Sequence, residues 1–341
     1  MAAITYKCPN CGGGLVFKPE TQKYHCEYCL SDFELDQLEG LKEGEPPQEK
    51  ETLMYQCPSC GASIVADETT VASFCYYCHN PIMLTGRVQG EFKPDYVVPF
   101  RIDREKALEI FSQWMEKKRF VPEAFYSKKQ IETMTGVYFP YWLYSCKAQG
   151  DIRAQGRKLR VWTTGNMRYT ETNIYEVNRQ GAMDVDNVAR SALRKANRKL
   201  VDSVLPYNMK EKREFAMGYL SGFMAENRDM EQQEFSQEVK DEVRQFALGS
   251  IREQLGEYDH LDIGSSRIEL QEEEWKLALL PVWTLTYRDR AGGKIYYFAL
   301  NGQTGKVSGE LPVDSKKLTA LFLSIFLPML IFFLIGGYIL G

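Results

Sequence analysis

The chain lacks the sequence motifs that most often identify an enzyme. It contains no glycine-rich phosphate-binding loop, no His-Glu-x-x-His pair and no nucleophile elbow. Only three histidines occur in 341 residues, and His260 has no cysteine, serine or metal-ligand pattern beside it. We therefore expect a protein that is not an enzyme. An acid–base pair among its many carboxylates is the alternative that spacing alone does not exclude.

A basic charge excess and an N-terminal apolar segment are also missing. The 42 Lys and Arg residues are outnumbered by 46 Asp and Glu residues, and the net charge is −4. This mildly acidic composition does not favour a protein that binds nucleic acid through the electrostatic attraction of its overall charge. The first residues, Met1–Lys7, contain no apolar signal-peptide core, so we expect the thiols to stay reduced in the cytoplasm.

The nine cysteines are, with one exception, arranged in Cys-x-x-Cys pairs. The segment YKCPNCGGGLVFKPETQKYHCEYC, from Tyr6, is followed forty-nine residues later by YQCPSCGASIVADETTVASFCYYC. Ten residues are identical between Tyr6–Phe33 and Tyr55–Ile82, which indicates an internal duplication. Two pairs of thiolates complete the tetrahedral sulfur set that suits Zn²⁺. The predicted ligands are Cys8, Cys11, Cys26 and Cys29 for one ion, and Cys57, Cys60, Cys75 and Cys78 for the other.

Each copy is predicted to be a small β zinc ribbon with a structural ion. In the Cys-Pro-x-Cys-Gly knuckle, proline fixes one φ angle and glycine permits a positive one, so that backbone N–H groups can turn toward the thiolates. Four thiolates leave no open position for water or substrate. Disulfides and iron are the alternatives. A reducing compartment argues against disulfides, and the spacing between the pairs argues against iron. His25 and His79, each adjacent to a ligand cysteine, are expected to be bystanders.

The C-terminal segment Leu318–Leu340 is almost wholly apolar. At ~1.5 Å per residue it is long enough to span a ~30 Å hydrocarbon core. The alternative is a buried core helix. We predict a single-pass transmembrane helix that contacts membrane lipids. Lys316 and Lys317, directly before it, favour a cytoplasmic position for the N-terminal bulk of the chain at the cell membrane.

The sequence between these ends predicts an α+β domain. The predicted organisation is a ribbon at 1–35, an acidic linker at 36–52, a second ribbon at 53–86, the α+β domain at 87–312 and the membrane helix at 318–340. Within the domain, Asp103 is expected to cap a helix, and Gly165–Asn166 to turn a hairpin. An apolar stripe from Val188 to Val204, with a basic outer face, predicts one helix, and a second is predicted from Asp229 to about Leu255. Cys146 is expected in the core.

Two Tyr-x-Cys-Pro-x-Cys-Gly ribbons, the segments GVYFPYWLY and LLPVWTLTY, and a terminal span together resemble a family of bacterial membrane proteins that are often labelled helicase-like or TFIIB-type. Their arrangement is similar to that of the zinc-ribbon protein encoded beside phage shock protein A (PspA). The resemblance implies a membrane-bound adaptor. It also implies partners: a PspA-like remodelling protein, an SPFH-type protein and a second membrane protein, acting in envelope stress.

The leading hypothesis is therefore a membrane-anchored adaptor or scaffold that binds protein partners through its ribbons and its α+β domain. A membrane-bound, regulatory nucleic-acid-binding protein is the alternative, because zinc ribbons often bind nucleic acid. The second ribbon opposes that alternative, since Tyr55–Ile82 contains no lysine or arginine to neutralise phosphates.

Overall fold

The fold is described by a computed structural model of the chain. The described residues are 3–4, 6–38, 54–57, 63–65, 70–74, 81–84, 93–194, 202–288 and 294–340. They include sixteen β-strands and five α-helices. The strands are β1 Ala3–Ile4, β2 Leu15–Lys18, β3 Lys23–Cys26, β4 Asp32–Phe33, β5 Met54–Gln56, β6 Ser63–Val65, β7 Thr70–Phe74, β8 Pro81–Leu84, β9 Tyr96–Val97, β10 Thr135–Thr164, β11 Met167–Ser191, β12 Arg213–Glu214, β13 Met224–Glu226, β14 His260–Arg288, β15 Ile295–Asn301 and β16 Val307–Gly309. The helices are α1 Leu35–Leu38, α2 Arg104–Glu116, α3 Lys128–Ile131, α4 Ser236–Glu253 and α5 Ser315–Leu340.

An eleven-stranded sheet forms the centre of the molecule. Its main path runs β1-β8-β7-β13-β10-β14-β15-β16, with β11 on the remaining edge of β10, β9 beside β14 and β12 beside β9. Helices α2 and α3 and several short 3₁₀ turns are packed around it. The predicted α+β class is confirmed for this part of the chain.

Three strands of the sheet are unusually long. β10 and β14 have 30 and 29 residues, and β11 has 25. At ~3.3 Å per residue, β10 extends for ~100 Å. Beyond an irregularity at Tyr144–Cys146, the three strands continue as what we call the arm: Lys147–Thr164 of β10, Met167–Asp184 of β11 and His260–Gln271 of β14. Thr164 pairs with Met167 at the tip, and Gly165 has a φ of +60°, so the predicted hairpin turn is confirmed.

Helix α4 covers one face of the long strands. Its buried residues Val239, Val243, Ala247 and Ile251 recur with helical spacing, which explains why this segment is helical and which face it buries. Cys146 lies beneath the helix, buried with Val239 and Val243, as predicted. The helix begins at Ser236, seven residues after the predicted start, because Gln232–Glu234 forms a separate 3₁₀ turn whose capping box starts at Glu231.

The predicted helix over Val188–Val204 is wrong at its beginning. Residues up to Ser191 continue strand β11, and Val188 pairs with Tyr144 of β10. The spacing of Val188 and Ala192 fits a helical stripe, but pairing with the buried aromatic strand determined the conformation. Residues 195–201 of the predicted helix lie outside the described part.

The first ribbon is not a separate module. Leu15, Phe17 and Tyr24 are buried in the same hydrophobic cluster as Leu220 and Phe223 of the α+β domain. The backbone N–H of Phe17 donates to the carbonyl oxygen of Ser221 at 3.0 Å, and the Ser221 hydroxyl donates to the carbonyl of Leu15. The ribbon is therefore fixed on the domain surface.

Strands of the second repeat join the central sheet. β7 pairs with β13 of the domain, and β8 pairs with β1 at the start of the chain. The two repeats have the same internal register: Tyr24 pairs with Phe33 in the first, and Ser73 with Ile82 at the equivalent positions of the second. This agreement supports the duplication predicted from sequence.

The C-terminal helix α5 has 26 residues and contains Pro328. Its start is attached to the domain, because the N–H of Asp314 donates to the carbonyl of Phe120 at 2.7 Å and Lys317 Nζ donates to the carbonyl of Val121 at 3.0 Å. No helix in the described part of the chain is both long enough and apolar enough to cross a membrane. The predicted span Leu318–Leu340 stays a prediction.

Candidate metal centre

The first cysteine pair lies in a tight knuckle between Tyr6 and Leu15. The N–H of Cys8 donates to the carbonyl of Gly13 at 2.7 Å, and the N–H of Gly12 donates to the carbonyl of Cys8 at 2.8 Å. Gly12 has a φ of +75°, which only glycine adopts without strain. The knuckle glycine therefore has the role that the motif predicted.

The second pair repeats this geometry. The N–H of Leu30 donates to the carbonyl of Cys26 at 2.8 Å, as Gly12 does to Cys8. Leu30 also has a positive φ, +58°, although it carries a branched side chain. This conformation is uncommon for such a residue and costs about 1–3 kcal/mol. The side chain of Leu30 is 72% exposed, so burial of that side chain does not offset the strain.

The two knuckles bring four sulfurs together. The Sγ atoms of Cys8, Cys11, Cys26 and Cys29 all lie within 4.8 Å of one another. Cys8 and Cys29 are 3.5 Å apart, and Cys11 and Cys26 are 3.4 Å apart. Ligands on a tetrahedral Zn²⁺ with Zn–S bonds of ~2.3 Å are separated by ~3.8 Å. The cluster is therefore compatible with one Zn²⁺ ion, and the four predicted ligands of the first site are in place.

The environment differs between the thiols. The side chain and backbone of Ser31 lower the pKa of Cys29 to about 6. The Gly13 backbone favours ionisation of Cys11, but the neighbouring thiols, led by Cys26, and partial burial raise the pKa of Cys11 to about 12. Without a bound cation, four crowded thiols cannot all ionise, because each thiolate charge disfavours ionisation of the neighbouring thiols. A divalent cation would remove that conflict and release protons as it binds.

Half of the site is inside the protein core. Cys8 and Cys26 are 3% and 0% exposed and belong to the main hydrophobic cluster, whereas Cys11 and Cys29 face solvent. His25 lies beside the site, but its Nδ1 is 2.8 Å from Asp32 Oδ1, and it is not one of the clustered ligand residues. A metal held here by four thiolates would fix both knuckles, and would have no vacant coordination position for a substrate.

The second predicted site is described only at its first ligand. Cys57 is buried at the end of β5, where Gln56 pairs with Ser63. This matches the bridge between Lys7 and Gly14 in the first repeat. Cys60, Cys75, Cys78 and His79 lie outside the described residues. One cluster of four cysteines is thus present in the described part of the chain.

The outer surface of the first site is formed by residues that the motif did not identify. Tyr28 and Leu30 flank Cys29 and are 73% and 72% exposed. The Tyr28 ring also lies over Gly13, where an added Cβ would be 2.6 Å from Tyr28 Cδ2. The signal that could have identified them is their position: both are large side chains directly beside a ligand cysteine, in a short metal-binding turn.

Comparison with known proteins gives one relationship over nearly the whole chain. The uncharacterized protein YdjG of Bacillus subtilis (strain 168) is 34% identical over 319 residues, which cover 94% of this chain and 93% of that protein. No family model matches the chain. No solved structure matches it at a significant level.

Proposed function

The chain belongs to the same family as YdjG of Bacillus subtilis, and we propose that it is a membrane-anchored adaptor whose zinc ribbons bind a protein partner. The observation that carries the proposal is the exposed pair Tyr28 and Leu30 on the second knuckle of the candidate metal centre. Large apolar side chains in solvent indicate an interaction surface when they are adjacent and rigidly held.

The metal site supports binding rather than turnover. Its four sulfurs would fill a tetrahedral ion, so the ion would act as a staple. The staple would hold Leu30 in its strained conformation and keep its side chain outside the core. A preorganised apolar knuckle costs little conformational entropy when a partner binds it.

The anchor in this proposal is helix α5. Its large apolar side chains are exposed at successive positions, from Leu318 at 48% to Leu334 at 64%, so they do not form a single stripe packed on the domain. Such a helix is stable where lipid replaces the missing protein contacts. We propose that residues 318–340 insert into the cell membrane as a single pass, and that the rest of the chain lies on the cytoplasmic side with Lys316 and Lys317.

The partner we propose is a membrane or membrane-remodelling protein. The resemblance to zinc-ribbon proteins encoded beside PspA supports a PspA-like protein, an SPFH-type protein or a second membrane protein. In the first ribbon Lys23 forms an ion pair with Glu34 at 2.9 Å, which reduces the charge available to phosphates. Protein is therefore favoured over nucleic acid as the ligand of this ribbon.

The test is affinity purification of the full-length protein from detergent-solubilised, nuclease-treated membranes, followed by mass spectrometry. The variant is Cys8→Ser/Cys11→Ser, and Glu27→Gln, in the other knuckle of the same site, is the control, because it changes an exposed charge and no ligand. We expect a stoichiometric protein partner that is lost only from the cysteine variant. If no protein co-purifies, and DNA or RNA is found without nuclease, the adaptor proposal fails.

A further inference from the structure

The arm has an open edge along strand β11. Among the described strands, β11 pairs only with β10. Its residues Met167–Glu176 are all exposed. Such an edge presents a row of backbone donors and acceptors to any strand that can align with it.

Two common protections of an edge strand, proline and lysine, are absent from β11. Met167–Ser191 contains no proline and no lysine, and its only glycine is Gly181. The opposite edge of the arm, on β14, carries the charged residues Asp262, Arg267 and Glu269, and Arg267 forms an ion pair with Glu269 at 2.6 Å.

Exposed apolar side chains follow the open edge. Met167 and Ile174 are 62% and 60% exposed, and Tyr169 and Tyr175 are 40% and 41% exposed. The third strand of the arm ends where His260 pairs with Arg157, so the tip is a two-stranded ribbon. Two strands alone are marginally stable in water, and a further strand would bury these side chains.

The charges on the edge identify the occupant. Within the segment Met167–Met183, Arg168 and Arg179 are balanced by Glu171 and Glu176, and Arg179 also lies 3.7 Å from Glu257 of its own chain. An anionic bilayer or nucleic acid would be repelled by the two glutamates, whereas an identical strand carries matching charges. In an antiparallel pairing centred on Tyr175, Glu171 lies opposite Arg179 on both sides of the centre, Met167 lies opposite Met183, and no like charges are opposed.

We propose that β11 of one chain pairs antiparallel with β11 of a second copy, about a two-fold axis at Tyr175. The two arms then form one continuous six-stranded sheet. The contact is isologous and closed, so it produces a dimer. Pairing of β11 with β14 of a neighbour would instead generate an open chain of molecules, because that contact is heterologous.

The test measures the mass of the full-length protein in detergent by sedimentation equilibrium over a range of concentrations. Glu171→Arg and Arg179→Glu each place two pairs of like charges in opposition, and we expect each to weaken the dimer about tenfold. The double variant Glu171→Arg/Arg179→Glu exchanges the charges and should restore the wild-type dissociation constant.

Glu269→Arg, the same change on the other edge of the arm, is the matched control and should leave the dimer intact. A wild-type protein that stays monomeric at every concentration would overturn the proposal and leave the edge to another molecule. A dimer that neither single β11 variant weakens would place the interface elsewhere and also overturn it. Failure of the double variant to restore the dimer would reject the register.

Discussion

The backbone N–H of Phe17 donates to the carbonyl of Ser221 across 3.0 Å, joining the N-terminal ribbon to a turn of the α+β domain. The next residue, Gly222, has a φ of +90°, and its α-carbon faces Val16. Ribbon and domain are therefore one folded unit. A change at the metal site should be transmitted to the domain, and a change in this turn should loosen the ribbon.

Gly222→Ala should destabilise the protein. A Cβ at this position would lie 2.4 Å from Val16 Cγ1, and the positive φ adds strain. We expect a loss of about 1–3 kcal/mol in the free energy of unfolding, measured as a lower melting temperature. Gly249→Ala is the control. Gly249 lies in α4 with no atom within 4 Å of an added Cβ, so alanine there should stabilise by about 0.5–1 kcal/mol. Equal effects at both positions would contradict the docking of the ribbon.

Under the proposal of one zinc ion in each repeat, replacement of Cys8 and Cys11 by serine should remove one of the two ions. Two ligands are lost from the first cluster, and two thiolates do not hold the metal. Metal content per chain, measured by elemental analysis of the purified protein, should fall by half. Cys146→Ala is the matched control, since this cysteine is buried beneath α4 and should not alter the zinc content. Retention of both ions in the double variant would show that the ligands are misassigned.

Acidification should weaken the contact between α4 and strand β14, because protonation of Glu273 on β14 removes its ion pair with Lys240 of α4. Burial alone would raise the pKa of Glu273, but hydrogen bonds from Lys240 at 2.6 Å and Tyr144 at 2.8 Å outweigh it and lower the pKa below its ordinary value of 4.5. Because the folded-state pKa is lowered, the stabilisation is present above the unfolded pKa and is lost as the pH falls through the folded value. Glu273→Gln should remove this part of the pH dependence. Identical slopes of melting temperature against pH below 4.5 in both proteins would contradict the assignment.

Truncation before Leu318 should release the protein from membranes. The remaining chain keeps the ribbon, the sheet and α4, whereas the exposed apolar side chains of α5 are removed. Alkaline extraction of membranes followed by immunoblotting measures the partition. Retained zinc in the released protein is the control for folding. A truncated chain that resists extraction would contradict a single anchor.

The parts of the structure that follow from local chemistry were predictable from the sequence. Cysteine spacing identified the first ligand set, Asp103 identified the start of α2, and Gly165 identified the turn at the arm tip. The predicted cap is observed, because Asp103 Oδ1 accepts from the N–H of Lys106 at 2.7 Å. The cap and the turn depend on neighbours within a few residues, and the ligand set depends on two Cys-x-x-Cys pairs within one short segment.

Long-range relationships were not predictable from the same patterns. Nothing near Val16 indicates that Ser221 and Gly222 lie against it, since the two segments are about two hundred residues apart. The strand conformation of Val188 depends on its partner Tyr144, which local spacing does not specify. The segments FPYWLYS and LRVWTT are parts of the single strand β10, because pairing with β14 and β11 continues through the residues between them, and no local pattern specifies a strand of this length.

The most direct test of the adaptor proposal is Leu30→Gly in the full-length protein, purified from membranes with its bound proteins. Glycine removes the exposed side chain and accepts a φ of +58° without strain, so the zinc site should be retained or stabilised. We expect wild-type zinc content, an unchanged or higher melting temperature, and loss of the partner from the purified complex. Recovery of the partner at wild-type stoichiometry with Leu30→Gly would contradict the claim that this knuckle is the docking surface.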